Sequence, residues 1–286
     1  MRSALLRTIL LGVALLAFIE SRSAARAARQ EDASAQSTEA RKWLSDGREA
    51  FKNGQIDEAI HDFQKAKDLD PSLLIAQLYL ATAHSAQYMP GDPSPENAQH
   101  GDQALQEFRS ILGTHPDNLA AIDGAGAVLY NLATAPFDPE KMDESKSYHK
   151  KHIELRPADP EPYYWIGVID WSLAFRGNHE MQQDYNKSAN QTIQITDPRP
   201  PALAARFRQK YGRIVEEGIE NMKKAMDLRP EYDDAMAYLN LLYRQKADME
   251  PTVGEQELDI KIADDLVDQV KASKARKMTS SQSPEQ

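Results

Sequence analysis

Few residues in this chain have a type and spacing that could support chemistry. His149 and His152 lie one helical turn apart, a spacing that two ligands of one metal ion can adopt. Lysines occupy both positions between them. In the repeat pattern described below, Phe63 and Ala66 occupy the positions equivalent to His149 and His152. We therefore interpret both histidines as packing residues and predict no metal site.

Adjacent carboxylates, which acid–base chemistry can use, occur at Asp233 and Asp234. They open a predicted helix, where acidic residues interact favourably with the positive end of the helix dipole. The sequence has no glycine-rich phosphate loop, no G-x-S-x-G elbow and no H-E-x-x-H helix. It also has no cysteine, which excludes a cysteine nucleophile and a thiolate metal site. The sequence therefore predicts a non-enzymatic protein without catalytic residues or a cofactor.

The charge balance of the chain is acidic. The 286 residues carry 34 basic and 44 acidic side chains, a formal net charge of −10. A surface of this sign repels nucleic acid and anionic lipid headgroups, because both carry negative charge. We therefore expect no nucleic-acid partner.

One spacing recurs four times: a small residue, a proline twelve positions later, and another small or short residue ten positions after the proline. The sets are Ala59/Pro71/Ala81, Ala104/Pro116/Gly126, Ser145/Pro157/Gly167 and Gly218/Pro230/Asn240. The prolines are unevenly spaced, so a constant frame alternates with segments of variable length. This pattern is typical of a helical repeat whose insertions are confined to one place.

The first repeat shows what the frame is. Two runs of apolar and small residues at helical spacing flank the turn Asn53-Gly54: Trp43, Gly47, Ala50 and Phe51 before it, and Ala59, Phe63, Ala66 and Leu69 after it. These residues resemble the tetratricopeptide repeat (TPR), a helix–turn–helix unit of 34 residues. The resemblance covers about residues 40–272. It implies an all-α solenoid of about five TPR repeats, with insertions between the two helices of repeats two to five.

The domain organisation follows from this register. We predict repeats at about residues 40–73, 74–118, 119–159, 160–232 and 233–272. Polar segments on either side, residues 28–39 and 273–286, are expected to be a disordered linker and a disordered tail. The stretches Trp165–Trp171 and Asp233–Arg244 also resemble a group of exported bacterial TPR proteins without an assigned activity.

The first 27 residues have the features of a secretory signal peptide. Arg2 and Arg7 precede the apolar run Thr8–Ile19, and small residues up to Ala27 offer a cleavage site. Twelve apolar residues are too few for a stable membrane span. We expect a periplasmic or secreted protein with no membrane span after cleavage. An uncleaved N-terminal anchor is the alternative.

TPR solenoids commonly bind extended peptides or helices on the surface lined by the first helix of each repeat. The resemblance therefore implies a groove for a protein or peptide partner, lined by Arg48, Phe51, Leu78, Tyr130, Tyr164 and Trp171. Aromatic residues dominate its middle, and such residues are enriched in binding hot spots. A second interpretation is that some of these rings fill the core between repeats.

Two alternatives stay open at this stage. The insertions project from one edge of the array, which could itself be the binding surface, with Phe207 and Tyr211 either exposed there or packed locally. The protein could also be a small-molecule or glycan-binding accessory protein, with Tyr163, Tyr164, Trp165 and Trp171 stacking on a ring.

Overall fold

Apolar residues at helical spacing, interrupted by short segments rich in proline and glycine, produce a chain of helices joined by turns. A computed structural model describes residues 32, 34–188, 192–194 and 197–281. Within these residues there are ten α-helices, and the only β pairing is an isolated bridge between Thr134 and Phe137. The helices are α1 (34–52), α2 (Ile56–Leu69), α3 (Leu74–Gln87), α4 (Pro95–Thr114), α5 (Leu119–Thr134), α6 (Pro139–Leu155), α7 (Glu161–Ser188), α8 (Pro201–Leu228), α9 (Asp233–Ala247) and α10 (Val253–Ser281).

Helices α1 to α4 form one unit. The turn after α1 depends on Gly54, whose φ of +76° lies in the left-handed region that favours glycine. α1 and α2 approach closely where a Cβ on Gly47 would lie 2.8 Å from the Phe63 ring. Phe63 and Leu80 are fully buried between the helices of this unit. The unit is therefore held by packing around small residues.

Helices α5 to α10 form the second unit, in which consecutive helices pack on one another. Asn118 is the N-cap residue of α5, and its side chain accepts a hydrogen bond from the backbone N–H of Ala121. Asp138 caps the first turn of α6 in the same way, and Pro139 follows at the first helical position.

The small residues of the sequence frame lie at helix contacts. The eight of them are buried: Ala59, Ala81, Ala104, Gly126, Ser145, Gly167, Gly218 and Asn240. A Cβ on Gly167 would lie 2.6 Å from the end of Met222, and one on Gly218 would lie 2.9 Å from Cβ of Asp170. The frame is constant because these positions set the distance between helices.

Most of the extra residues lengthen helices. α7 and α8 contain 28 residues each. The polar stretch from Asn178 onward lies in the insertion expected within the fourth repeat. The structure shows that α7 continues through this stretch to Ser188 and packs beside α8.

The expected boundaries at both ends also need correction. Residues 34–39, expected in a disordered linker, belong to α1. Residues 273–281, expected in a disordered tail, belong to α10. Ser273 is buried there, and Lys277 Nζ lies 2.7 Å from Asp233 Oδ2, so tertiary contacts stabilise a helix that composition alone did not predict. Residues 1–27 and 282–286 lie outside the described part of the chain.

Candidate functional site

The two histidines considered as metal ligands have different environments. His149 is buried, its ring stacks on Trp165 at 5.9 Å between centroids, and neither ring nitrogen has a hydrogen-bond partner in the structure. Burial, and then the charge of His152, lowers the pKa of His149 to about 4. His152 Nδ1 lies 2.6 Å from Asp123 Oδ1. No group of three or more potential ligands is positioned to hold a metal ion among the described residues.

Asp233 lies in the first turn of α9, as expected. Its carboxylate accepts a hydrogen bond from Lys277, and this bond holds the pKa of Asp233 below its ordinary value. The side chain thus ties the start of α9 to α10, and this contact accounts for its position.

Three of the predicted groove residues lie in the first unit. The Arg48 guanidinium lies 5.5 Å from the centroid of the Tyr79 ring, and the Arg48 side chain is exposed. Phe51 is partly buried against the core of this unit, and Leu78 is partly buried on α3. Phe51 therefore contributes at least partly to packing.

The other three predicted residues, Tyr130, Tyr164 and Trp171, are connected in the second unit through two further rings. Trp165 meets Tyr130 at 5.5 Å and Tyr164 at 5.6 Å between centroids, both edge to face. Tyr238 meets Tyr164 at 5.8 Å and Trp171 at 5.4 Å, also edge to face. Rings from α5, α7 and α9 thus form one connected set.

Phe175 extends this set at one end, because its ring stacks on Trp171 at 5.2 Å and its side chain is 37% exposed. We call these six residues the aromatic face: Tyr130, Tyr164, Trp165, Trp171, Phe175 and Tyr238. All except Phe175 are partly buried. Each ring therefore combines a packing contact with accessible surface.

Trp165 and Tyr238 were not among the predicted groove residues. A signal for them was present: each stands two residues before the small or short residue of its first helix, Gly167 or Asn240. Tyr79 stands in the same relation to Ala81 and stacks on Phe63 at 5.2 Å. An aromatic residue at this position contacts the preceding repeat in all three cases.

Acidic groups lie near the aromatic face. Burial raises the pKa of Tyr164 well above its ordinary value, and Tyr238, Asp234, Tyr130 and Glu161 raise it further. The pKa of Tyr238 is also raised, by burial first and then by Tyr130 and Asp234. The phenols are therefore neutral at physiological pH and available as hydrogen-bond donors.

The insertion edge is organised by polar side chains one helical turn apart on α7. Gln182 Nε2 and Asn186 Nδ2 donate to the carbonyl of Ile193, at 2.8 and 2.9 Å, and Ile193 N–H donates to Asn186 Oδ1 at 3.0 Å. These side chains therefore bond to the backbone that follows α7. This explains why a polar sequence forms a helix with a buried side.

Asn178, one turn earlier on α7, lies at the centre of a buried network. Its amide donates to Gln245 Oε1 at 2.9 Å and to Asp248 Oδ2 at 2.7 Å, and its oxygen accepts from Arg199 Nε at 3.2 Å. Arg199 Nη2 also lies 3.3 Å from Asp248 Oδ2. The network joins α7, the segment before α8 and the end of α9.

Phe207 and Tyr211 do not form an exposed site on this edge. Phe207 is fully buried, and its ring lies 5.6 Å from the ring of Tyr211. Tyr211 is partly buried against Gly177 of α7. Both residues pack locally, the alternative that the sequence favoured.

A second buried polar cluster joins α6, α7 and α8. Lys146 Nζ lies 2.5 Å from Asp170 Oδ1 and 2.9 Å from Glu217 Oε2, and Lys150 Nζ lies 2.9 Å from the other oxygen of Glu217. Burial raises the pKa of Asp170 to about 7, although Lys146 opposes the shift. Lys146 thus holds two carboxylates from different helices.

Hydropathy gives one further observation. Among the described residues, no helix combines the length and the apolar character that crossing a bilayer requires.

Comparison with known proteins identifies the fold. No family model and no curated protein matches the chain. MamA from Desulfovibrio magneticus RS-1, residues 41 to the end, aligns with a TM-score of 0.55 at 16% identity, covering 83% of this chain and 96% of its own. Another MamA crystal structure aligns with a TM-score of 0.55 at 13% identity, covering 83% and 94%. YrrB, described as a TPR protein with an unusual peptide-binding site, aligns with a TM-score of 0.47 at 16% identity, covering 81% and 90%.

At these identities the likeness to the two MamA structures concerns the fold alone. Together with the helix pairs described above, it confirms the prediction of an all-α tetratricopeptide-repeat fold.

Proposed function

Taking the tetratricopeptide-repeat fold as the premise, we propose that this chain is a non-enzymatic scaffold that binds a protein or peptide partner on its aromatic face. The observation that carries the proposal is the connected set of six rings on α5, α7 and α9. Aromatic side chains supply large contact areas at a low cost in conformational entropy, and tryptophan and tyrosine are the residues most enriched in hot spots.

The accessibility of these rings supports the same assignment. Phe175 and Trp171 stack on one another, and neither is fully buried, so a partner can cover both. The apolar area of this ring pair that stays exposed contributes nothing to folding, so its burial by a partner would add a favourable contribution to binding.

Substitution of Trp171 tests the proposal. We expect Trp171→Ala to weaken partner binding by about 2 kcal/mol or more while helical content stays near that of the unsubstituted protein. The matched control is Leu258→Ala, which removes an exposed apolar side chain of α10, a helix that contributes no ring to the aromatic face. The partner is obtained by affinity capture from the native envelope, identified, purified and titrated, and helical content is measured by circular dichroism.

Three results would count against the proposal. Unchanged affinity in a folded Trp171→Ala protein would place the binding surface elsewhere. An equal loss in Leu258→Ala would indicate nonspecific adsorption. Failure to capture a protein, together with thermal stabilisation by a sugar or a metabolite, would favour the ligand-binding alternative instead.

We also propose that the protein acts in the periplasm or outside the cell after removal of residues 1–27. The arginines, the short apolar run and the small residues of that segment support export. Mass spectrometry of the protein from its native host tests this directly. A mature chain that still begins at Met1, or one that stays in washed membranes, would overturn the export proposal in favour of an anchored protein.

A further inference from the structure

The charge around the aromatic face restricts the partner that this surface suits. Asp234 is exposed in the first turn of α9, one helical turn before Tyr238, so the two side chains lie on the same side of that helix. Its charge also raises the pKa of the Tyr164 and Tyr238 phenols. No ion pair of Asp234 occurs among the described residues. Within the part of the chain that the structure describes, the charge of this carboxylate beside the rings is therefore not balanced by an ion pair.

The arginines on the same helices do not balance it, because each has a carboxylate partner of its own. Arg244 of α9 lies 2.6 Å from Asp264, and Arg176 of α7 lies 3.0 Å from Glu180. Glu161 at the start of α7 is paired with Arg229 at 2.5 Å. The arginines of α7 and α9 therefore leave the charge of Asp234 without a partner among the described residues, and the net charge of the whole chain is −10.

Aromatic rings and a neighbouring carboxylate favour the same kind of ligand group. The face of an aromatic ring attracts a cation through its quadrupole, and the attraction is strongest for tryptophan. A carboxylate close to that ring adds a charge–charge interaction, which a guanidinium or an ammonium group can satisfy.

We infer that the aromatic face takes an extended segment of a partner protein that carries arginine or lysine side chains, with a cation held between the rings and Asp234. The inference rests on the proposed function and specifies the chemistry of the partner. The other kinds of partner, a neutral apolar segment and an acidic one, become outcomes of the test.

The length of the aromatic face determines how long a test peptide must be. Successive ring centroids from Phe175 through Trp171, Tyr238 and Tyr164 to Trp165 lie 5.2, 5.4, 5.8 and 5.6 Å apart, so the path is at most about 22 Å long. An extended chain rises about 3.3 Å per residue, so about six or seven residues cover it. A peptide of eight residues therefore suffices.

The experiment compares three fluorescein-labelled octapeptides in which alanine alternates with arginine, with glutamine or with glutamate. Each is titrated with the full-length protein at physiological ionic strength, and fluorescence anisotropy is recorded. We expect the arginine peptide to bind at least about tenfold more tightly than the glutamine peptide, and the glutamate peptide to bind most weakly.

Matched variants separate a specific site from general attraction of a polycation to an acidic protein. Asp234→Asn and Asp265→Asn change the net charge equally, but Asp265 is exposed on α10. We expect Asp234→Asn to weaken arginine-peptide binding about threefold and Trp171→Ala about tenfold, with little change for Asp265→Asn and Leu258→Ala.

The outcomes distinguish failure of the inference from failure of the proposed function. Equal binding of the arginine and glutamine peptides, with a loss in Trp171→Ala, would overturn the cationic partner and leave the binding face in place. Equal losses in Asp234→Asn and Asp265→Asn would overturn it as nonspecific attraction. If none of the three peptides binds and Trp171→Ala also leaves the captured partner's affinity unchanged, both the inference and the proposed function are wrong.

Discussion

The contact between Gly177 and Tyr211 makes a sharp prediction about the long helix pair. A Cβ built on Gly177 would lie 2.1 Å from Cζ, 2.3 Å from Oη and 2.4 Å from Cε2 of Tyr211. All three atoms belong to a rigid phenol group whose ring also meets Phe207. Gly177→Ala therefore requires the phenol to leave its site or α7 to move away from α8.

The size of the effect follows from two opposing contributions. Overpacking of a well-packed contact costs about 1–3 kcal/mol, and these distances place Gly177→Ala at the upper end. Alanine in a helix interior is favoured over glycine by about 1 kcal/mol. We expect a net loss of about 2 kcal/mol in the free energy of unfolding. In a chain of this size the melting temperature should fall by about 4–8 °C.

Circular dichroism melts of three variants test this reasoning. Gly212→Ala is the matched control in α8, because the nearest atom to its Cβ, Arg208 Cγ, would lie 3.4 Å away, an ordinary contact. The double variant Gly177→Ala/Tyr211→Ala should lose less than the sum of its single changes, because removal of the ring removes the clash. If Gly177→Ala and Gly212→Ala melt at the same temperature, α7 and α8 do not cross as described.

Three further predictions concern buried polar groups. The pKa of Asp170 is about 7 in the folded protein against an ordinary 3.8, so the folded chain binds the carboxyl proton of Asp170 more tightly than the unfolded chain does. The stability that this proton contributes is therefore lost as the pH rises from about 4 to about 7. Asp170→Asn should flatten the pH dependence of the urea midpoint over that window, and an unchanged slope would contradict the assignment. The pKa of His149 is about 4 against 6.5, so its contribution is present above about pH 6.5 and is lost as the pH falls towards 4. His149→Phe retains a ring against Trp165 and should reduce this acid sensitivity, whereas an equal loss in both proteins would show that His149 is not its source. Asn178→Leu should lower the free energy of unfolding by about 1–3 kcal/mol, because Arg199 loses a buried acceptor, and an unaltered urea midpoint would argue against the network.

The repeat frame could be predicted from sequence because it reflects a geometric limit. Only small side chains fit where two helices approach closely, so Gly47, Gly167 and Gly218 are recognisable without a structure. The length of α7 could not be predicted in the same way. Asn178 and Gln182 have the composition of a solvated loop, and their buried partners come from segments distant in sequence or beyond the helix end.

The candidate site was predictable only in part, for a related reason. Repeat register placed Tyr130, Tyr164 and Trp171 on first helices, and the structure brings them into one set through Trp165 and Tyr238. Repeat register alone does not specify the side-chain rotamer by which a large ring contacts a neighbouring helix. That direction depends on the side chains of the next repeat, which periodicity does not describe.

In two repeats, the residue two positions before the small or short residue of the first helix fixes part of the aromatic face in place. Trp165 occupies this position in one repeat and contacts the buried imidazole of His149 and the accessible ring of Tyr130 in the preceding repeat. Tyr238 occupies it in the next repeat and contacts the rings of Tyr164 and Trp171. Their rotamers are therefore set by folding, before any partner arrives. Because a binding surface ordered in advance loses little conformational entropy on association, more of the contact energy appears as affinity. Rings that serve the packing between repeats are for this reason better prepared to bind than rings that project freely, so the packing role of these residues is compatible with the proposed binding role.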